Sequence, residues 1–390
     1  MELFTEDHFH KFKIKTHSPE WYQFRSVGIP ELYPGGIGAS ECAKLIEEEE
    51  TGVPINPYAP SPAQMYEEKI GREPIQPFAN QRTFWGTMLE PTIGESWQFW
   101  DGDPESYIHN RQKWLDSGKK DEFLIRKSLD AEYYLVNEKY PWLFCSLDKA
   151  MAPGSANMIT GEELLTPAPL EVKTIGEFAG KGYETGVPMQ YVIQLHHQMI
   201  VTESDYAEIA ILKGGNDFQV KYYSRNEDLV KIILDVTKEW WFERVIPGRR
   251  FWIEAMQAEK KGRTAEAAKL LERIDHLQPG PNSTEAYRQW KSGKFQRERS
   301  YMRGNISMYN KLREYEVAKE YLKVITQMKD RRYNEFIETL VNNQVREVVF
   351  PNEMGYIRMG KSHRLSTRIG EKVSNKMIVS NIRKLDFDIE

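Results

Sequence analysis

The feature that most constrains this chain is a pair of short apolar runs that each carry an acidic residue. The second run, residues 168–174, contains Glu171 and Lys173 two positions apart. Because side chains alternate between the two faces of a β-strand, these two would point the same way. The first run, residues 142–148, ends in Asp148. We expect the runs to be adjacent strands of one sheet that bring the three side chains together around a divalent metal ion.

The spacing of a glutamate and a lysine is weak support by itself. Glu67 with Lys69, and Glu259 with Lys261, have the same spacing, and such pairs are usually solvated side chains on a helix or strand. The functional interpretation therefore depends on the surrounding sequence. The connection between the two runs, residues 151–167, is rich in Gly, Pro, Ser and Asn, which suits a link between antiparallel strands.

Composition indicates a folded chain without the features of secretion. Hydrophobic residues make up 40% of its 390 residues, enough for one large domain with an appendage or for two domains. Cys42 and Cys145 lie in unrelated contexts, which favours a reducing compartment. The acidic N-terminus lacks the basic start of a signal peptide, and no apolar run approaches the ~18 residues needed to span a bilayer. We expect a soluble, intracellular protein that does not contact a membrane.

Charge is distributed unevenly along the chain. Residues 251–390 carry a net charge of +8, which leaves −13 for residues 1–250. An acidic body with a basic extension is compatible with nucleic-acid binding without establishing it. The predicted parts are a core over residues 1–250, a helical extension over 251–345, and a small, basic, β-containing tail over 346–390.

The last third of the chain combines a helix with basic residues. Apolar residues recur at helical spacing across 305–344, which predicts one long helix or a coiled-coil arm. Residues 346–384 alternate with turns and predict short strands. Their basic residues would contact DNA or form an ordinary solvated surface, and the sequence leaves both open. They are Arg358, Lys361, Arg364 and Arg368.

Two helices are predicted near the N-terminus, and the start of the second one would suit a phosphate. Ser18 and Pro19 begin the first, which carries Arg25, since Ser is a good N-cap and Pro fits the first helical position. A loop over residues 28–38, rich in Gly and Pro, leads to a second helix with Ser40 as its N-cap. A helix N-terminus presents free N–H groups that suit a phosphate, although an ordinary capped helix is the simpler interpretation.

A third predicted helix runs from Phe84 to about Trp100. Pro91 is tolerated only near the first turn of a helix, so it would place Glu90 at the helix start. The acid would then lie beside the apolar stripe, at a boundary between core and cleft. The stripe that we expect to be buried consists of Trp85, Leu89, Ile93 and Trp97.

A fourth predicted helix, opened by Pro188, carries a ladder of polar side chains. Gln190, Gln194 and His197 recur at i, i+4 and i+7 on a largely apolar helix. Buried amides need partners, and a phosphate or a metal-bound water would supply one. His196 and His197 are not predicted to bind zinc, because no further ligands lie at metal-site spacing.

Seven short motifs follow one another along residues 18–245. They are Trp21-x-x-x-Arg25, Gly36-Ile37-Gly38-Ala39-Ser40-Glu41, Tyr66-x-x-Lys69-x-Gly71, Trp85-Gly86-Thr87-x-x-Glu90-Pro91, Ser146-x-Asp148, Leu170-Glu171-Val172-Lys173 and Tyr191-x-x-Gln194-x-x-x-x-Met199. In this order they resemble the phage-type recombination exonucleases, that is, the YqaJ-type viral recombinases related to lambda exonuclease within the PD-(D/E)xK nuclease superfamily.

The resemblance implies a fold and an activity. The fold would be α/β, with a central mixed sheet flanked by helices, a C-terminal helical arm and a small β element. The activity would be metal-dependent hydrolysis of DNA, as a 5′-to-3′ exonuclease on linear double-stranded ends in phage-type recombination or end processing. Relatives imply a single-strand annealing protein as partner, a homo-oligomeric ring, and the cytoplasm of a bacterial or phage-infected cell.

The resemblance also implies roles for the matching residues. Hard oxygen ligands suit Mg²⁺ or Mn²⁺, and Lys beside the reacting water is a compact positive charge. The implied metal ligands are Asp148, Glu171 and the backbone carbonyl of Val172, with Glu90 supporting a second metal or its waters. The implied catalytic and binding residues are Lys173 for the attacking water, Gln194 and Tyr191 for the site lining, and Arg25 and Ser40 for the 5′-phosphate.

The chain departs from the family pattern at three places, one of which is the tail from about residue 250 that exceeds the minimal nuclease. Ser146-Leu147-Asp148-Lys149 replaces the usual Ser-Pro-Asp-Gly but keeps the acid, and residues 29–35 resemble an insertion after Arg25. Three alternatives stay open: an endonuclease or repair nuclease of the same superfamily, a non-catalytic module that binds DNA ends, and a scaffold protein driven by its tail.

Overall fold

The computed structural model of the chain describes residues 3–48, 51–75, 81–179, 186–294, 304–350, 355–359 and 365–369. The chain divides into two compact units, Met1–Phe295 and Gln296–Glu390. The boundary predicted at residue 250 lies inside the helix Ile246–Lys260, which a π-helical turn, Trp240–Val245, precedes without a break. Most of the helical segment from 251 to 295 therefore belongs to the first unit.

The helices of the first unit begin and end at recognisable signals. The Ser18 hydroxyl accepts a hydrogen bond from the backbone N–H of Trp21, as predicted for an N-cap. Gly71 takes a left-handed φ of 81° and ends another helix. The helices are α1 (Pro19–Ser26), α2 (Ala39–Cys42), α3 (Pro62–Ile70), α4 (Gln81–Trp97), α5 (Pro104–Asp116), α6 (Met189–Thr202), α7 (Glu227–Glu239), α8 (Ile246–Lys260), α9 (Thr264–Leu277) and α10 (Glu285–Gly293).

The strands of this unit are β1 (Phe9–Phe12), β2 (Ile37–Gly38), β3 (Ser128–Leu129), β4 (Tyr134–Asn137), β5 (Leu143–Ser146), β6 (Lys149–Met151), β7 (Ala168–Ile175), β8 (Tyr206–Lys213) and β9 (Asp217–Ser224). They form two sheets, with the orders β1-β4-β5-β2 and β3-β6-β7-β8-β9. Each sheet is mixed, because β2 pairs in parallel with β5 and β7 pairs in parallel with β8. The predicted α/β class, with mixed sheet and flanking helices, is confirmed.

The two apolar runs do not form adjacent strands as we expected. β5 belongs to the four-stranded sheet, and the strand that pairs with β7 is the next one, β6, with Lys149 opposite Leu170. The chain crosses from one sheet to the other between β5 and β6, where Leu147 and Asp148 lie. The prediction was wrong because a run of apolar residues shows that a strand is buried but does not reveal where the chain leaves one sheet for another.

Helix α4 also differs from its prediction. It begins at Gln81, so Pro91 lies in its interior and Glu90 is not at its start. An interior proline costs about 3 kcal/mol. Ile93 and Trp97 are fully buried against β7 and β8, and at about 1.5–3 kcal/mol for each large apolar side chain their burial offsets that cost. Trp85, predicted to be buried, is 58% exposed.

Helix α6 lies between the two sheets and positions the candidate site. One side of it, including Ile193 and Ile200, joins the core of the four-stranded sheet. Another side, including Leu195 and Met199, packs on β8. Because both sides are apolar, any polar residue that faces β7 from this helix is removed from water and needs a partner.

The second unit contains the predicted helical arm and a small sheet. α11 (Ile306–Asn342) confirms the long helix, and β10 (Glu347–Phe350), β11 (Gly355–Met359) and β12 (Leu365–Ile369) form an antiparallel sheet. Among the basic tail residues, Lys361 and Arg364 lie outside the described residues, as do the side chains of Arg358 and Arg368. No helix in the described part of the chain is both long and apolar enough to cross a bilayer.

Candidate active site

Strand β7 carries the candidate acid, Glu171, and the candidate base, Lys173, on the face that packs against α6. It is paired on both sides, with β6 and with β8. Leu170 and Val172 pack on the α4 side, in a cluster with Ile93 and Trp97. Glu171 and Lys173 alternate with them and point the other way, as the period of two requires. Glu171 is fully buried, whereas the Lys173 side chain is 23% exposed.

Asp148 immediately precedes β6 and lies next to Glu171 and Lys173. Its Oδ2 accepts a hydrogen bond of 2.9 Å from the backbone N–H of Val172, two positions beyond Leu170, the last β7 residue that pairs with β6. The Lys173 Nζ is 4.0 Å from Asp148 Oδ2 and forms a close ion pair with Glu171 Oε1. The structure therefore brings Asp148, Glu171 and Lys173 together on one side of the sheet.

Two glutamines of α6 hold the Glu171 carboxylate. Gln194 Nε2 donates to Oε1 and Gln198 Nε2 donates to Oε2, each at 2.6 Å. The predicted polar ladder included Gln194 but continued to His197, whose Nε2 instead donates to the backbone carbonyl of Phe144 at 3.0 Å. Gln198 was missed, although it lies one turn after Gln194 in the sequence, at the i+4 spacing that places two side chains on one helix face.

A cleft of about 370 Å³ opens above this cluster. Glu171 does not line this cleft: it is fully buried and forms an ion pair with Lys173, which does. Glu90 reaches the cleft from the middle of α4, and Tyr191 and Gln194 reach it from α6. Tyr191 also places its ring centroid 5.8 Å from the Lys173 ammonium. The predicted site residues that line the cleft are Ser40, Glu90, Asp148, Val172, Lys173, Tyr191 and Gln194.

Of the two candidate phosphate ligands, Ser40 lines the cleft and Arg25 does not. Ser40 is exposed at the cleft, but it is not an N-cap: Gly38 caps α2, whose four residues form too short a helix for an appreciable dipole. Arg25 does not line the cleft. Its guanidinium pairs with Glu41 at 2.8 Å and lies 5.0 Å from the Trp21 ring centroid. Its role toward a 5′-phosphate stays a prediction.

Negative charge is concentrated in the cleft. Burial raises the pKa of Asp148 well above its ordinary value, and the neighbouring Glu171 and Glu90 raise it further. Burial likewise raises the pKa of Glu90, against the attraction of Lys173. Burial opposes the charge on Lys173, but Glu171 and Asp148 outweigh it and raise the pKa of that ammonium. The lysine is thus charged, and the acids repel one another.

This donor set fits a hard divalent cation. The described residues contain no group of three His, Cys, Asp or Glu side chains already arranged as a metal site. Glu171 and Glu90 lie close enough to Asp148 to raise its pKa, and a cation bound among these acids would offset their mutual repulsion. Carboxylate and backbone carbonyl oxygens are the ligands that Mg²⁺ and Mn²⁺ prefer. Asp148, Glu171 and the Val172 carbonyl would hold such an ion, with Glu90 nearby.

Comparison with known proteins supports the resemblance that the motifs indicated. Residues 20–205 match the family described as the YqaJ-like viral recombinase domain. The resemblance is confirmed for this segment. The matched segment contains the residues that line the candidate cleft, from Ser40 to Gln194. The rest of the chain, including α7 to α11, lies outside the matched residues.

Two kinds of relative are similar to the chain. The uncharacterized protein YqaJ of Bacillus subtilis is 24% identical over 217 residues, which cover 55% of this chain and 54% of that protein. The chain thus spans about half the length of this curated relative. Crystal structures of LHK-Exo, an alkaline exonuclease from Laribacter hongkongensis, one of them in complex with dAMP, overlap with a TM-score of 0.35. Their sequence identities are 13% and 12%, covering 67% and 71% of this chain and 96% and 99% of theirs.

Proposed function

We propose that the chain is a metal-dependent DNA exonuclease that digests linear double-stranded DNA from its 5′ ends in phage-type recombination or end processing. The observation that carries this proposal is the convergence of Asp148 and Lys173 in one cleft, with the buried Glu171 ion-paired to Lys173. The match of residues 20–205 to a viral recombinase family supports it. We further propose that it acts in the cytoplasm of a bacterial or phage-infected cell.

Lys173 is the residue best placed to act on the attacking water. Its ammonium is fixed by Glu171 and lies near Asp148, and it faces the cleft. From there it would donate a hydrogen bond that orients a water molecule and would stabilise charge that develops on the phosphate. Mg²⁺ or Mn²⁺, when bound, would supply Lewis-acid polarisation of the scissile phosphate.

The other cleft residues would bind and orient the substrate. Gln194 has its Nε2 on Glu171 and lines the cleft, so it would fix the acid while bordering the substrate. Tyr191 would pack against the nucleotide next to the scissile bond. Glu90, half-buried on α4, would hold waters or a second ion.

A phosphate pocket at the DNA end would involve Ser40 and Arg25. Ser40 already lines the cleft. Arg25 would reach a phosphate only by exchanging its ion pair with Glu41 for one with the ligand. A bidentate guanidinium suits a phosphate well, so the exchange is chemically reasonable if the substrate brings two negative charges.

The experiment that tests the proposal is digestion of three DNAs: linear duplex with 5′-phosphate ends, the same duplex with 5′-hydroxyl ends, and a closed circle. We expect Mg²⁺-dependent loss of the linear substrates, faster with the 5′-phosphate, and no cleavage of the circle. EDTA should abolish the digestion of both linear substrates. Cleavage of the circle would favour the endonuclease alternative, and absence of cleavage with retained end binding would favour a non-catalytic module.

Two assembly partners belong to the same proposal. We propose a single-strand annealing protein that takes up the strand left by digestion, and a homo-oligomeric ring that encloses the DNA. Light scattering of the purified chain tests the ring, and co-purification with an annealing protein encoded beside it tests the partner. A monomer that digests long DNA without dissociating would contradict the ring.

A further inference from the structure

Gln198 is a buried polar side chain that the proposed chemistry does not use directly. It is fully buried in α6, and it does not line the cleft, whereas Gln194 one turn earlier does. Its Nε2 donates 2.6 Å to Glu171 Oε2. Within the described residues its Oε1 has no hydrogen-bond partner. A buried amide with one unsatisfied oxygen costs free energy, so an apolar side chain of similar size would suit this position better if only packing mattered.

The geometry of the carboxylate gives Gln198 a specific task. Lys173 and Gln194 both contact Glu171 Oε1. Gln198 is the side chain that holds the other oxygen, Oε2. With both oxygens fixed, the carboxylate plane cannot rotate about its terminal torsion, which is otherwise broad. The two glutamine donors are neutral amides, so they orient the acid without adding to the positive charge of Lys173, which would repel a cation.

We propose that Gln198 is a positioning residue that fixes Glu171 for divalent cation binding. The inference rests on the proposed function and adds to it a residue that touches neither the cleft nor the substrate. Groups that orient a metal ligand from behind typically change metal affinity 10- to 100-fold when removed. Gln198 is expected to act in this way through Glu171 alone.

The test is calorimetric titration of the full-length protein with Mn²⁺ in the absence of DNA, for wild type and Gln198→Met. Methionine has a similar volume and no donor. We expect the Mn²⁺ dissociation constant to rise 10- to 100-fold. With DNA, kcat at sub-saturating Mn²⁺ should fall by a similar factor and recover at high Mn²⁺, while KM for DNA stays within about twofold.

The matched control is Thr202→Val, one turn later on the same helix. Thr202 is also buried, and its hydroxyl donates to the Gln198 backbone carbonyl rather than to Glu171. This variant removes a buried hydrogen bond from α6 without touching the acid, so its Mn²⁺ affinity should match wild type. An equal loss of affinity in both variants would mean that Gln198 only supports the helix, and would overturn the proposal.

A second variant keeps the test decisive if Gln198→Met does not fold. Gln198→Asn retains the amide but shortens the side chain by one methylene, which withdraws the donor from Glu171, and it should show the same loss of Mn²⁺ affinity. Wild-type affinity in a folded variant at this position would overturn the inference and leave the nuclease proposal intact. A wild-type protein that neither binds Mn²⁺ nor cleaves DNA would instead overturn the nuclease proposal itself.

Discussion

Two buried glutamates of this chain, Glu41 and Glu171, differ in the charges that surround them. Glu41 accepts from Arg25, from Lys69 and from the Gly38 backbone N–H, each at 2.8 Å. Burial alone would raise the pKa of Glu41, but the two cations lower it to about 2. This cluster ties α1, α2 and α3 together, because Lys69 also donates to the backbone carbonyls of Arg25 and Gly36.

Glu171 has one cation, Lys173, and two neutral amides, and it shares its surroundings with Asp148 and Glu90. Negative charge is therefore balanced around Glu41 and in excess around Glu171. A balanced cluster holds the fold together and has no use for a further ion. A cluster with excess negative charge in an open cleft is less stable by itself and is suited to bind a cation. The contrast separates a structural acid from a functional one.

The largest effect that the comparison predicts is on catalysis. Lys173→Ala removes the charged donor from the cleft and should lower kcat on the order of 10³-fold, while DNA binding changes no more than severalfold. Single-turnover digestion of linear duplex and a filter-binding assay measure the two quantities. Lys127→Ala, which removes an exposed lysine paired with Asp121, is the matched control. Unchanged cleavage by Lys173→Ala would contradict the assignment.

A substitution in the balanced cluster around Glu41 should change the free energy of unfolding rather than the rate of DNA cleavage. Lys69→Met leaves Glu41 buried with one of its two cations, and breaking a buried ion pair in this way costs about 3–5 kcal/mol of unfolding free energy. Urea denaturation measures the loss. Lys13→Met, at an exposed pair with Glu132, should cost under about 1 kcal/mol. If Lys69→Met instead kept its stability and lost cleavage, the division between the two clusters would be wrong.

The pH dependence of stability separates Glu41 from its neighbour Glu68. Burial raises the pKa of Glu68 from its ordinary 4.5 to about 7, so the folded state holds a proton that the unfolded chain loses, and stability falls as pH rises between these values. Glu41 has a lowered pKa, so its contribution is present above pH 4.5 and is lost as pH falls towards 2. Glu68→Gln should be about 3 kcal/mol more stable than wild type at pH 8 and equal to it at pH 4. A variant whose advantage does not depend on pH would contradict this.

The smallest predicted effect is a gain in stability at the cleft. Asp148→Asn removes one of the mutually repelling acids while an amide oxygen can still accept from the Val172 N–H. In EDTA at pH 8 we expect it to be about 1 kcal/mol more stable than wild type and inactive when Mg²⁺ is restored. Thermal unfolding with and without EDTA measures the change. A loss of stability in EDTA would show that Asp148 is a structural acid like Glu41.

Local periodicity was enough to predict the elements that carry the site. Strand alternation placed Glu171 and Lys173 on one face, and helical spacing predicted α6 and α11. The hairpin of β8 and β9 turns at Gly214-Gly215-Asn216, a local signal of the same kind. These features depend on residues a few positions apart, which the sequence shows directly.

Features that depend on distant contacts were not predictable from periodicity. The chain breaks between β5 and β6 at Asp148 because these two strands belong to different sheets. Helix α4 continues through Pro91 because Ile93 and Trp97 are buried. Lys69 joins Glu41 only in the folded chain, so the Glu67-x-Lys69 triplet, dismissed as ordinary, conceals a buried lysine. Gln198 was visible at i+4 from Gln194, but its importance depends on where Glu171 points.

The most direct test of the central claim is an anomalous-scattering map from a crystal of the protein soaked in Mn²⁺. We expect a manganese peak in the cleft, within coordination distance of carboxylate oxygens of both Asp148 and Glu171. A manganese peak elsewhere, or none in the cleft under conditions where the same protein cleaves DNA, would contradict it.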